Sequence, residues 1–185
     1  MFVLYMSLLD SPDDQRKFEQ LYITYRQTMF YVANNILNDT YEAEDAVHQA
    51  LLRIIDHLDD IDENDKNKTK SYLSIVTQNI AIDIYRKKRR ERKRSISFDE
   101  YAIYIEDPVG QEFENIKEED NRLAEAIKKL PPHYAEVIRL TYGHGYDSEK
   151  VGEILNLTPD NVRQRLVRAR RKLAKLLGGE YKDFC

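Results

Sequence analysis

Apolar residues along this chain recur at intervals of three and four, and no segment alternates with period two for long, so the pattern predicts helices throughout. Phe18, Leu21, Tyr22, Tyr25, Met29, Ala33, Ile36 and Leu37 form a first stripe that ends near Asn38-Asp39. A second runs through Ala43, Ala46, Val47, Ala50, Leu51, Ile54, Ile55 and Leu58, with Asp39 or Thr40 able to cap its start. Glu42, Glu44 and Asp45 sit where the helix dipole favours acids. After the polar run 59–70, a third helix is predicted from near Ser71, turning Leu73, Val76, Ile80 and Ile84 inward.

The periodicity fades from Ser95 to about Glu114, where Pro108 and Gly110 appear and acids accumulate. Beyond it a helix carries Ile116, Leu123, Ile127 and Leu130 to a stop at Pro131-Pro132. Tyr134, Val137, Ile138 and Thr141 continue to a break at Gly143-His144-Gly145. Asp147 or Ser148 can cap a short helix containing Val151, Ile154 and Leu155, and Asn156 suits the left-handed position that ends it. Thr158 then caps a last helix with Pro159 in its first turn. The expected fold is all-α: two small helical domains at 13–94 and 116–180, an N-terminal tail at 1–12 and an acidic flexible linker at 95–115.

Charge changes the picture. A net charge of −4 argues against a nucleic-acid binder, because phosphates must be neutralised by local Lys and Arg. The distribution reverses this: every residue of 86–94 except Glu91 is basic, 99–120 holds nine acids against Lys117, and 163–175 is basic again. Segregated blocks let an acidic chain present basic faces. With 42% hydrophobic and 34% charged residues, 185 residues suit two small cores better than one large core. The lone Cys185 leaves no disulfide framework or cysteine pair for zinc, so a reducing, intracellular setting is expected. The apolar start 1–9 is too short to span a bilayer and lacks a basic leader; it reads as a tail or an extra start, with Met6 an alternative initiator. No other stretch is apolar enough for membrane insertion.

A short helix, a turn and a longer basic helix make a helix-turn-helix, whose second helix enters the major groove. Gly152 inside the first helix costs about 1 kcal/mol relative to Ala, and close approach of the two helices is a reason to accept it. In the last helix Val162, Leu166, Ala169, Leu173 and Leu176 form the inward stripe. Asp160, Asn161, Arg163, Gln164, Val167, Arg168 and Arg171 then face outward. Arg and Gln make bidentate contacts with base edges, so the start of this helix is the candidate base reader. A solvated amphipathic helix packing only within its domain is the bland reading.

These residues resemble the sigma-70 family of bacterial RNA polymerase sigma factors, in its extracytoplasmic-function (ECF) branch. Leu130-Pro131-Pro132, Val137-Ile138-Arg139-Leu140, Val151-Gly152-Glu153-Ile154-Leu155 and Val162-Arg163-Gln164-Arg165-Leu166-Val167-Arg168-Ala169-Arg170 are similar to sigma domain 4. Ala43-Glu44-Asp45-Ala46-Val47 and Leu52-Arg53 resemble the core-polymerase-binding helix of domain 2. Tyr72-Leu73, Asn79, Ala81-Ile82-Asp83 and Arg86 resemble its promoter-melting helix. The resemblance covers about 13–94 and 116–177. It implies a cytoplasmic, non-enzymatic initiation factor without a cofactor, whose partners are the RNA polymerase core (beta and beta-prime subunits), promoter DNA and an anti-sigma factor.

On that resemblance, polymerase binding falls to Asp45, His48, Gln49, Leu52, Arg53 and Asp56, of which all but Arg53 also lie opposite the apolar stripe; a stray surface leucine is the bland reading of Leu52. The minus-ten element and melting fall to Asn64, Asn67 and Lys68 in a loop at 62–70, then Tyr72, Asn79, Asp83, Tyr85, Arg86, Lys87 and Arg90. Tyr72 and Tyr85 can stack on unpaired bases, although core packing is the commoner fate of helical tyrosines. The minus-thirty-five element falls to Thr158, Asp160, Asn161, Arg163, Gln164, Arg165, Val167, Arg168 and Arg171. Three departures stand out from the family pattern: Tyr72 for the usual Trp, His48 for Gln and Asn156 for a turn Gly. The rival readings are an ordinary helix-turn-helix regulator that binds DNA without polymerase, a helical interaction module, and an enzyme, for which the scattered His48, His57, His133 and His144 give little support.

Overall fold

The computed structural model describes residues 2–63, 65–92 and 118–178. The expectations for Asn64, Ile116 and the linker at 95–115 lie outside the described residues. These residues form helices without a strand, in two compact units, one on either side of the 93–117 stretch.

In the first unit, α1 (Phe2–Met6), α2 (Pro12–Leu37), α3 (Thr40–Asp56) and α4 (Lys66–Arg92) follow in order. Ser11 opens α2: its Oγ accepts from Asp14 N at 3.0 Å, Pro12 fills the first turn, and Asp13 and Asp14 meet the positive end of the dipole. The helix closes on Asn38, left-handed at φ 50°, and Asp39 immediately caps α3 by accepting from Tyr41 N and Glu42 N at 3.0 and 3.2 Å. Two adjacent residues thus end one helix and start the next, which brings α2 and α3 back to back. The helices α2, α3 and α4 pack on one another around Phe18, Met29, Val47, Ile54, Leu73 and Val76.

Two expectations are corrected here. Part of the segment read as a tail is folded: α1 buries Tyr5, Leu9 beyond it is buried, and Gln15 Nε2 donates to Met6 O and Leu9 O at 3.3 and 3.0 Å. Those donations tie the end of α1 and the turn after it to the first turn of α2. The second correction is the loop at 62–70, which is mostly helix. Asp65 accepts from Lys68 N at 3.0 Å and Thr69 Oγ1 donates to Asp62 O at 2.8 Å, so α4 begins at Lys66 rather than near Ser71.

In the second unit, α5 (Glu118–Lys128), α6 (Pro132–Ile138), α7 (Ser148–Leu155) and α8 (Pro159–Leu176) surround Val137, Leu140, Val151, Ile154 and Val162. Wider turns of π type at Arg139–Gly143 prolong α6, with His144 N reaching Arg139 O at 3.1 Å, before Gly145 turns the chain at φ 78°. Of the stripe expected on α5, Leu130 is buried but Leu123 is 41% exposed. On α8, Leu173 is half-buried and Leu176 exposed, against the expectation that both turn inward. Leu123, Ile127, Tyr142, Leu173 and Leu177 instead border an open apolar groove of about 250 Å³.

Candidate functional site

The helix-turn-helix forms as its caps require. Asp147, not Ser148, caps α7 by accepting from Lys150 N at 2.8 Å, Asn156 is left-handed at φ 54°, and Thr158 Oγ1 accepts from Asn161 N at 3.3 Å. Gly152 is demanded by the turn's own backbone: a Cβ there would lie 2.6 Å from the Leu157 carbonyl oxygen. The contact expected between two helices is therefore made between helix and turn.

Val162, Leu166 and Ala169 anchor α8 on the unit. Thr158, Asp160, Asn161, Arg163, Gln164, Val167, Arg168 and Arg171 are all exposed, and Arg165 is half-buried. Arg163 has acidic neighbours on both helices. Its Nη2 lies 2.8 Å from Asp160 Oδ1 and its Nη1 3.5 Å from Glu149 Oε1 on α7. The hydrogen bond to Asp160 holds its proton more firmly than usual. Behind this surface Arg139 is buried; desolvation lowers its pKa to about 10, which leaves it cationic at neutral pH.

On α4 the structure divides the residues expected to meet the minus-ten element. Asn67 and Lys68 are exposed on its first turn, and Asp83, Arg86, Lys87 and Arg90 are exposed towards its end, with Tyr85 half-buried. Tyr72 and Asn79 do not join them. They are 2% and 8% exposed, within a run from Tyr72 to Ile82 that is buried all round, so neither offers a face to a base here. Lys88, in the same basic tract, turns back to α3 and pairs with Glu42, with Asp39 at 3.8 Å.

On α3, Asp45, Gln49 and Asp56 are exposed and Leu52 and Arg53 half-buried, so Leu52 is less open than its polar surroundings suggest. Gln49 Nε2 donates to Asp45 Oδ2 at 2.9 Å. His48 is half-buried, with Nδ1 2.6 Å from the Tyr5 hydroxyl. Sequence reasoning missed Tyr5 and Glu149. The i, i+3 pair Phe2 and Tyr5 was a signal for the first, whereas only the crossing of α7 and α8 brings Glu149 to Arg163.

Among the described residues, no group of three or more His, Cys, Asp or Glu is arranged to hold a metal ion. No described helix is long and apolar enough to cross a membrane.

Residues 21–91 match the family described as Sigma-70 region 2, and residues 120–173 that described as Sigma-70, region 4. The ECF RNA polymerase sigma factor SigW of Bacillus subtilis (strain 168) is 30% identical over 171 residues, which cover 89% of this chain and 90% of the relative. The RNA polymerase sigma factor SigZ of the same organism is 27% identical over 168 residues, 87% of each. The sigma factor RpoE of Bartonella quintana, solved in complex with the anti-sigma factor NepR, is 19% identical over 86% of this chain and 96% of that one, with a TM-score of 0.40. Both regions in order, in one chain, set aside the ordinary regulator. This chain belongs to the sigma-70 family, as an RNA polymerase sigma factor of the extracytoplasmic-function type.

Proposed function

We propose that α8 reads the minus-thirty-five element, that α4 and the turn before it handle the minus-ten element, and that the outer face of α3 binds the polymerase core. The observation that carries the first assignment is the exposed row Arg163, Gln164, Val167, Arg168 and Arg171 on a capped helix whose opposite face is buried. Such a helix offers bidentate donors to base edges and cations to phosphates. On α4 the promoter strand falls to Asn67, Lys68, Asp83, Arg86, Lys87 and Arg90, with Tyr85 at their margin. Burial leaves Tyr72 and Asn79 to packing. Asp45, Gln49, Leu52 and Asp56 supply the polymerase face, flanked by Arg53 and by His48 under α1.

The chain acts in the cytoplasm, where promoter and polymerase meet, and the chemistry of RNA synthesis belongs to the polymerase. An anti-sigma factor holds it inactive; the exposed apolar groove beside Leu123 and Tyr142 supports a protein partner for the second unit. Co-purification from cells that recovers no regulator under any condition would count against that partner.

Run-off transcription with bacterial core polymerase on a promoter library tests the central reading. Start sites that depend on this chain and weaken in Arg168→Ala support it. Chain-dependent start sites that Arg168→Ala and Arg171→Ala leave unchanged would remove α8 from the promoter interface.

A further inference from the structure

The pairing of Arg163 carries a further inference, which rests on the reading of α8 given above. Arg163, Arg168 and Arg171 share the exposed face, but their surroundings differ. Arg163 is gripped by two carboxylates from two helices, Asp160 one turn earlier on α8 and Glu149 on the first turn of α7. Arg168 and Arg171 have no ion pair among the described residues. We propose that Glu149 is a specificity-determining positioning residue: with Asp160 it holds the Arg163 guanidinium as a fixed base-reading fork and keeps it from serving as a phosphate clamp.

Two physical consequences of the grip lead to this assignment. The first is electrostatic. One guanidinium between two carboxylates makes a local charge of −1, which repels a phosphate, whereas Arg168 and Arg171 have no ion pair among the described residues to offset their positive charge. The second is geometric. A guanidinium carries five N–H donors in a rigid plane, so two carboxylate contacts leave others to point outward. A long side chain on a helix surface otherwise samples many rotamers and must lose that freedom on binding. Tethering it from both helices removes much of that loss beforehand and fixes the plane relative to the groove. Charge lost for phosphate binding is thereby exchanged for discrimination between bases, the role to which bidentate arginine is suited.

Glu149 is 65% exposed by side chain and lies outside the buried core, so its replacement leaves the fold in place. The test uses holoenzyme assembled from the full chain and core polymerase, on promoters randomised one position at a time through the minus-thirty-five element. Arg163→Ala is expected to erase the preference at one base pair. Glu149→Ala should weaken that same preference about 3- to 10-fold while raising affinity for non-specific DNA. Glu149→Gln, which keeps an acceptor oxygen and removes the charge, should restore most of the preference and keep the raised non-specific affinity. In the double variant Glu149→Ala with Arg163→Ala, the first substitution should have no further effect on base preference.

Base preference unaltered by Glu149→Ala, at a position where Arg163→Ala erases it, would overturn the inference. So would an equal effect of Glu149→Ala in the presence and absence of Arg163. If Arg163→Ala itself changes no preference, the assignment of this part of α8 to the bases has failed first, which separates that failure from the failure of Glu149.

Discussion

The hydroxyl of Tyr5 lies 2.6 Å from Nδ1 of His48, and this contact joins the N-terminal helix to the α3 face proposed to meet the polymerase. The two rings are 5.5 Å apart, and Tyr5 also packs against Phe18 and Tyr22 at 5.5 and 6.0 Å. Buried aromatic pairs of this kind add stability beyond their area. Tyr5→Phe should remove one hydrogen bond and cost about 1 kcal/mol. Tyr5→Ala should cost roughly 3–5 kcal/mol, the range for emptying a buried aromatic site. Urea unfolding followed by circular dichroism would measure both, and equal stabilities would show that α1 contributes nothing to the unit.

The same pair gives a pH dependence. Burial, and then the neighbouring Tyr22, push ionisation of the Tyr5 hydroxyl above its ordinary value of 10.0. The folded state therefore holds this proton more tightly than the unfolded chain. The resulting stabilisation is complete below about pH 10 and is lost as pH rises through the folded value. The stability difference between the wild type and Tyr5→Phe should be constant up to pH 10 and shrink above it. A difference that grows with alkali would contradict this sign.

Gly152 and Asn156 shape the turn before the recognition helix in opposite ways. Gly152→Ala drives a methyl group to 2.6 Å from a backbone oxygen that no rotamer change can move. The clash should outweigh the roughly 1 kcal/mol of helix propensity that Ala gains, for a net loss of about 1–3 kcal/mol. Asn156 is left-handed at φ 54°, so Asn156→Gly should be tolerated and Asn156→Val should cost about 1–2 kcal/mol. Thermal unfolding of the three variants checks the order, and a stabilised Gly152→Ala would mean that the turn is looser than described.

Lys88 and Arg90 belong to one basic tract but should respond differently to substitution. Lys88 pairs with Glu42 and Asp39 at the start of α3, while Arg90 is exposed. Lys88→Met should lower stability by less than about 1 kcal/mol, as expected for a partly exposed pair, and leave promoter opening nearly unchanged. Arg90→Ala should weaken promoter opening several-fold with no change in stability. Permanganate footprinting and unfolding on the same samples distinguish the two, and a reversed pattern would reassign the tract.

Arg168 and Arg171, which have no ion pair among the described residues, are expected to contact phosphates. Each Ala substitution should weaken holoenzyme binding alike on all sequences and reduce the salt slope by about 1. Arg163→Ala should change base preference with little change in slope. Equal slope changes for all three arginines would remove the distinction between them.

Much of this protein was legible in its sequence because its signals are local. Periodicity of three and four placed the helices, and caps such as Thr158 and Asp39 act within three residues of themselves, so the helix-turn-helix and its outward arginines could be read one residue at a time. The left-handed Asn156 was visible for the same reason, whereas Gly152 stood out in the sequence but its close neighbour proved to be the turn and not the second helix. Other features depended on contacts between elements. Whether Tyr72 stacks on a base or packs inside is decided by what surrounds α4, and periodicity within one helix cannot show a helix buried on every side. The start of α4 at Lys66 depended on the Asp65 carboxylate accepting from Lys68 N and the Asp62 carbonyl accepting from Thr69 Oγ1 in what reads as a polar loop, and the docking of Tyr5 depended on His48, 43 residues away in sequence. Glu149 reaches Arg163 only because two helices cross at the turn. Sequence by itself therefore determined most of the helices, the residues able to cap them and the charge they display, but not α1 or the start of α4. Tertiary structure alone decided which polar side chains are spent on one another and which remain for a partner, because hydrogen bonds and ion pairs at these distances depend on separation in space and not along the chain.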